Sequence, residues 1–161
     1  MKGSSLLSRA MSRTAQAGVP LRVSADAAIA RQQAVTGRVP LNKLSRLREA
    51  AAEGDGWVQV DWQFGRDRDG RARLAGSLEV EVPLVCQRCL QTFNWRGEMD
   101  ADWRLVRSEA EEARVLKECE PILVEDDWLH LHELMQDEVL LALPLIPHCS
   151  DLACDIGTES A

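Results

Sequence analysis

The sequence predicts an α+β fold: an antiparallel β-sheet meander with N-terminal and C-terminal helices packed on it, and a Cys-x-x-Cys knuckle between two strands. Three observations predict it. Between positions 57 and 105, apolar and polar residues alternate with a period of two, as they do in half-buried strands. On both sides of this region, apolar residues recur at helical spacing. Cys86 and Cys89 fall between two alternating segments, which places them at a turn of the sheet.

The N-terminal part of the chain is predicted to form a short strand and two helices. Residues 21–23 mark the strand, and Ser24 is a good N-cap for a first helix in a region that Gly37 and Pro40 end. A second helix follows and stops at Gly54. Its core-facing residues are predicted to be Leu41, Leu44, Leu47 and Ala51.

Three long strands are predicted in the middle of the chain, at 58–64, 74–84 and 99–105. Asp69-Gly70 is a strong signal for the tight turn between the first two. Pro83 has no backbone N–H, so it indicates either an edge position or the end of its strand. The core-facing residues are predicted to be Val58, Val60, Trp62 and Phe64, then Leu74, Leu78, Val80, Val82 and Leu84, then Met99, Ala101, Trp103 and Leu105.

The C-terminal part is predicted to add a helix that packs on the sheet. Residues 108–120 form a charged, partly helical connection, and residues 121–124 form a short strand. Residues 131–143 have the periodicity of a helix, which two prolines end. The irregular tail that follows carries the last two cysteines.

Length and composition indicate a cytoplasmic, soluble protein with one domain. The chain has 161 residues, and we place the domain at 19–156, between disordered ends at 1–18 and 157–161. The longest apolar run, residues 139–146, is interrupted by proline and is far shorter than the roughly 18–20 residues that a membrane span needs. Five cysteines are an odd number, which is unlike a secreted disulfide framework.

The first 25 residues contain no acidic residue, a composition that resembles an organellar transit peptide. A disordered bacterial tail, or translation that begins at Met11, explains it equally well. We favour these two interpretations because the segment has no amphipathic periodicity.

The charge of the chain is divided unevenly. Residues 1–75 contain 13 Lys and Arg against 7 Asp and Glu, whereas residues 76–161 contain 6 against 19. Only the first half can attract phosphate, and the acidic half suits a basic partner such as a ribosomal protein. A solvated acidic surface that aids solubility is the alternative.

The cysteines predict a metal site. Two residues between Cys86 and Cys89 allow both thiolates to bind one tetrahedral ion, and Cys149 and Cys154 supply a second pair at an allowed spacing. Together the four would hold zinc and tie the tail to the hairpin. The alternative is a metal-free knuckle with reduced cysteines. A redox function is less favoured, because redox Cys-x-x-Cys motifs precede a helix.

The turn after the first long strand is rich in arginine and is a candidate for contact with the phosphates of RNA. Its candidate residues, with one from the knuckle that we expect to lie nearby, are Arg66, Arg68, Arg71, Arg73 and Arg88. Asp67 and Asp69 alternate with these arginines, so a self-neutralising, solvated turn is the alternative.

The sequence contains no motif for catalysis. It has no nucleophile elbow, no P-loop and no dinucleotide-binding glycine pattern. We therefore expect a protein that is not an enzyme and has no small-molecule substrate.

Two segments together resemble the large ribosomal RNA subunit accumulation protein YceD family. The first, residues 78–93, reads LEVEVPLVCQRCLQTF and is similar to the strand–CxRCL–strand core of that family. The second comprises residues 120–124 and 137–147. Two departures are evident: Leu129-His130-Leu131 lacks the acidic residue that opens the last helix in the family, and the family's hydrophobic stretch and basic tail are missing before Ala161.

The resemblance, which covers about residues 19–156, implies a bacterial ribosome-biogenesis factor. Such a factor supports the synthesis, processing or stability of 23S rRNA without catalysing a reaction. Its partner would be rRNA, a pre-ribosomal particle or a basic ribosomal protein. The alternative is an acidic adaptor or chaperone that binds a basic ribosomal protein.

Overall fold

A computed structural model describes residues 18–150 and Cys154. The predicted disordered ends lie outside these residues except for Gly18, and they stay predictions. The strands are β1 (Arg22–Ser24), β2 (Ala34–Pro40), β3 (Trp57–Arg66), β4 (Ala72–Val85), β5 (Thr92–Val106), β6 (Glu120–Leu123) and β7 (Trp128–His130). The helices are α1 (Ala25–Ala30), a 3₁₀ helix (Leu41–Lys43), α2 (Ser45–Ala50), α3 (Glu109–Val115) and α4 (Leu131–Ala142).

The main sheet has five strands in the order β2-β3-β4-β5-β6. Neighbours from β2 to β5 are antiparallel, so these four strands form a meander, and β6 joins its edge parallel to β5. A separate two-stranded sheet pairs β1 with β7. The predicted α+β architecture is therefore confirmed, and the meander, for which at least three strands were expected, has four.

One face of the main sheet carries the core. The core-facing positions predicted for β3 and β4 are all buried, and those of β5 are buried from Ala101 onward. Trp62 and Trp103 meet in a T-shaped arrangement with ring centroids 5.4 Å apart, a favoured geometry for an aromatic pair. The opposite face is polar, because the alternate residues of each strand point to solvent.

Helices from both ends of the chain cover the core and are joined to each other. Leu131, Met135 and Val139 bury one side of α4. The buried Gln136 side chain accepts hydrogen bonds from two backbone N–H groups at the start of α2, those of Arg46 (2.9 Å) and Leu47 (3.2 Å). Among the described residues, no helix is long and apolar enough to cross a membrane.

The N-terminal region differs from the prediction between residues 34 and 40. Ser24 caps α1 as expected, but α1 ends at Ala30 and β2 follows, so the expectation that Gly37 and Pro40 only end a helical region is wrong. Gly37 lies within β2, paired with Val60 of β3. A side chain is excluded there because Gly18 passes so close that a Cβ would lie 3.0 Å from the Gly18 carbonyl carbon.

Two further expectations are refined by the structure. The second predicted helix is divided into the 3₁₀ helix and α2, which Leu44 separates. Pro83 lies in β4, which is a central strand, so its edge interpretation is wrong. The strand-end interpretation fits, because the pairing of β4 with β3 stops at Glu81 and β4 ends at Val85.

Candidate metal centre

The knuckle is a tight turn between β4 and β5. Two backbone hydrogen bonds close it: Cys86 N–H donates to the Gln91 carbonyl, and Leu90 N–H donates to the Cys86 carbonyl, each at 2.9 Å. Leu90 adopts a left-handed backbone with φ of 62°. This turn places the thiols of Cys86 and Cys89 at the same end of the hairpin.

The tail brings the second pair of cysteines to this turn. The Gln87 N–H donates to the Pro147 carbonyl at 2.8 Å, which fixes the chain just before Cys149. The Cys89 and Cys149 sulfur atoms lie 3.8 Å apart, and those of Cys86 and Cys154 lie 3.6 Å apart. All four sulfur atoms lie within 4.8 Å of one another, so the structure brings the four predicted residues together.

These distances fit the donor set of a tetrahedral metal ion. Four thiolates at about 2.3 Å from one ion would stand roughly 3.8 Å apart. A disulfide would need about 2.05 Å, and all the cysteines are free thiols. Cys86 and Cys154 are buried, whereas Cys89 and Cys149 are half-buried. We refer to these four residues as the cysteine cluster.

The surroundings of the Cys86 sulfur favour its thiolate. Backbone N–H groups of Cys89, Cys149 and Arg88 donate to it, and together they lower the pKa of Cys86 to about 5 despite its burial. The pKa of Cys154 is raised, first by burial and then by contact with the other thiols. A cation among the four sulfur atoms would reverse this effect on Cys154, because metal binding favours deprotonated thiols.

The hairpin arginines are not assembled into one cationic surface. The Arg71 guanidinium pairs with Glu118 at 3.0 Å, and Arg73 pairs with Asp102 at 2.7 Å. The expectation that Arg88 lies near the hairpin tip is wrong. The tip and the knuckle lie at opposite ends of β4, whose 14 residues span roughly 40 Å.

Sequence reasoning assigned no role to the side chains between the two prolines that follow α4. Leu145 and Ile146 are strongly exposed, as is Leu141 in the last turn of α4. The signal was present in the sequence as two apolar residues bracketed by Pro144 and Pro147. From the sequence, these two prolines were interpreted only as the end of the last helix.

Comparison with known proteins identifies the family. Residues 74–160 match the model of the family described as "Large ribosomal RNA subunit accumulation protein YceD". The chain belongs to this family. The family resemblance predicted from the two sequence segments is therefore confirmed, and the YceD match includes all four residues of the cysteine cluster.

A curated YceD relative extends the similarity beyond the family model. The "Large ribosomal RNA subunit accumulation protein YceD" of Haemophilus influenzae is 27% identical over 142 residues, which are 88% of this chain and 82% of the relative. No solved structure matches the chain significantly.

Proposed function

We propose that this chain supports the accumulation of 23S rRNA during assembly of the large ribosomal subunit. The observation that carries the proposal is the YceD family match over residues 74–160, and it is supported by a relative named "Large ribosomal RNA subunit accumulation protein YceD". The match begins in β4 and extends past α4, so it includes most of the β4–β5 hairpin, its knuckle and the last helix, but not the arginine-rich turn between β3 and β4.

A non-catalytic role agrees with the chemistry of the cysteine cluster. Its four sulfur donors would complete the coordination shell of a tetrahedral ion, whereas a catalytic metal keeps one position open for water or substrate. Among the described residues, this group of candidate metal ligands consists of cysteines only.

We also propose that the ion in this cluster is zinc. Four thiolates with tetrahedral spacing are the donor set of structural zinc sites, and the two cysteine pairs have the short spacings of such sites. The ion would tie the tail that follows α4 to the end of the β4–β5 hairpin. Its contribution would therefore be to stability and to the position of the tail.

The hairpin arginines stay a proposal for contact with RNA, now narrowed to two residues. Arg66 and Arg68 are exposed, and neither forms an ion pair within the described part of the chain. Asp67, which alternates with them, is paired instead with Arg104 at 2.7 Å. The Arg66 guanidinium donates one hydrogen bond to the Gly70 carbonyl at 2.9 Å, and its charge, like that of Arg68, is not neutralised by a described carboxylate, so both can attract phosphate oxygens.

The charge distribution favours a second candidate, an adaptor that holds a basic ribosomal protein. The 19 acidic residues after position 75 would repel the phosphates of RNA and attract lysine and arginine. A salt-sensitive association with one basic protein that survives RNase treatment would support the adaptor. An association that RNase abolishes would exclude it.

The proposed function is tested by deleting the gene and measuring the ratio of 23S to 16S rRNA. We expect the ratio to fall in the deletion strain and to recover when the chain is supplied from a plasmid. A plasmid that supplies the Cys119→Ser chain is a further control. It should restore the ratio as fully as the parent chain, since Cys119 lies outside the cysteine cluster. An unchanged ratio in the deletion strain would refute the proposal.

A further inference from the structure

Four strongly exposed apolar side chains lie in the last turn of α4, in the segment that follows it and in the knuckle. Leu145 is fully exposed at 101%, Leu141 is 82% exposed and Ile146 is 64% exposed. Leu90, next to Cys89 in the knuckle, is 71% exposed. We call Leu90, Leu141, Leu145 and Ile146 the apolar ridge. Single exposed leucines are ordinary, but three of these four side chains lie within six consecutive residues. The Gln87–Pro147 hydrogen bond brings the knuckle that carries Leu90 to the same segment, and such a grouping is typical of an interaction site.

The ridge is held in place from both sides. On the helix side, the Leu143 N–H donates to the Val139 carbonyl at 3.0 Å, which continues α4 up to Pro144. On the knuckle side, Pro147 accepts the hydrogen bond from Gln87. Pro144 and Pro147 each have a fixed φ at the two ends of the segment, and Pro147 also restricts the backbone of Ile146 before it, so fewer conformations are open to Leu145 and Ile146. Pre-ordering lowers the entropic cost of binding.

The helix side of the ridge is negatively charged. Glu138 precedes Leu141 by one helical turn and is half-buried, and its pKa is raised by burial and by the neighbouring Glu120 and Asp137. Asp137 is paired with Arg46 at 2.8 Å, but neither Glu120 nor Glu138 forms an ion pair with another described residue. A cation brought to this place would relieve their mutual repulsion.

We propose that the apolar ridge binds a Lys/Arg-rich protein segment that also carries aliphatic side chains. The aliphatic groups would pack on Leu145 and Ile146, while a lysine or arginine would reach the carboxylates beside Leu141. This inference rests on the second candidate function and names its surface. The carboxylates of Glu120 and Glu138 would repel the phosphates of RNA. The net charge of -7 disfavours binding of a second copy of the chain.

The cysteine cluster controls the shape of this surface. Leu90 lies on the knuckle and Leu145 on the tail, and the cluster joins the two. The Gln87–Pro147 hydrogen bond already holds the tail against the knuckle, and the zinc ion proposed above would hold the two segments together more firmly.

The experiment places a photo-crosslinking amino acid at position 145 of the full chain. The probe is the protein fraction extracted from purified large ribosomal subunits, with 23S rRNA offered in a parallel sample. Position 116 is the matched control, because Leu116 is another exposed leucine, at 65%, and lies at the end of α3 outside the apolar ridge. We expect position 145 to crosslink one or a few basic proteins and position 116 to crosslink none of them.

Variants separate contact from folding. Leu145→Ser with Ile146→Ser should lower the affinity for the crosslinked protein roughly tenfold, the loss expected for central apolar contacts, with an unchanged melting temperature because both side chains are exposed. Leu116→Ser should bind like the parent chain.

Three results would overturn the inference: equal crosslinking at both positions, crosslinking to 23S rRNA only, or crosslinking to a second copy. If the ridge variant also restores the 23S to 16S ratio while crosslinking fails, the ridge proposal falls and the proposed function stands. If gene deletion leaves the ratio unchanged, the proposed function itself fails.

Discussion

The Cys86 sulfur shows how a single residue acquires its chemistry from the backbone around it. The knuckle directs the N–H groups of Arg88 and Cys89 at this sulfur, and the tail adds that of Cys149. Such donors stabilise a thiolate and orient it as a metal ligand. Spacing alone indicated these ligands, because two residues between cysteines permit one ion to reach both.

The exposed guanidinium groups of Arg66 and Arg68 lead to a second prediction about single residues. Replacing both with glutamine should reduce the slope of log affinity for 23S rRNA against log salt by about 2, since each lost phosphate contact removes about one released counterion. Salt titrations of binding measure the slope. Lys43→Gln is the control and should leave the slope unchanged, because Lys43 is exposed in the 3₁₀ helix. This helix follows the end of β2 that pairs with Trp57, at the opposite end of β3 from the hairpin tip. An unaltered slope in the double variant would remove the hairpin from the RNA contact.

At the scale of elements, the N-terminal strand and the β6–β7 connection hold each other in place. Asp127 accepts hydrogen bonds from the Ser24 hydroxyl and from the Asp26 backbone N–H, and its carboxylate pairs with Arg107 at 2.7 Å. These partners, led by Ser24, lower the pKa of Asp127 to about 2. The junction therefore depends on an ionised carboxylate.

Asp127→Asn should lower the stability of the protein at neutral pH. The folded pKa lies below the ordinary 3.8, so the contribution is complete above about pH 4 and is lost as the pH falls towards 2. Urea midpoints of the variant and parent should thus differ at pH 7 and converge in acid. Asp126→Asn is the control, because Asp126 is exposed and its φ of 53° is similar to the φ of 60° at Asp127. A difference that persists at pH 2 would contradict this account.

The sequence allowed most elements to be predicted, and the failures have a physical cause. Period-two alternation located β3, β4 and β5, whereas β2 was missed because Gly37 resembles a helix terminator and its role depends on contact with the distant Gly18. The start of α4 lacks a side-chain cap, as the sequence indicated. Its first N–H instead donates to the Leu21 carbonyl at 3.0 Å, a partner about 110 residues away that no local pattern reveals.

At the scale of the whole molecule, the candidate site brings together two segments that lie near opposite ends of residues 74–160, the part of the chain that matches the family. The four cysteines could be named from their spacing, but their convergence within 4.8 Å depends on α4 returning the tail to the hairpin end. The exposure of Leu145 could not be predicted, because an apolar residue after a helix is as compatible with burial as with contact to a partner. The charge asymmetry was evident from the sequence, whereas the ion pairs of Arg71 and Arg73 required the register of the sheet and the position of α3.

The central structural claim is that one zinc ion in the cysteine cluster clasps the tail to the hairpin. X-ray absorption at the zinc edge of the purified full chain tests it most directly, with metal content measured on the same sample. We predict about one zinc per chain with four sulfur neighbours at about 2.3 Å, and loss of the bound zinc together with a lower melting temperature in Cys149→Ser but not in Cys119→Ser. Protein without bound metal, or a zinc shell of nitrogen and oxygen atoms, would contradict the claim.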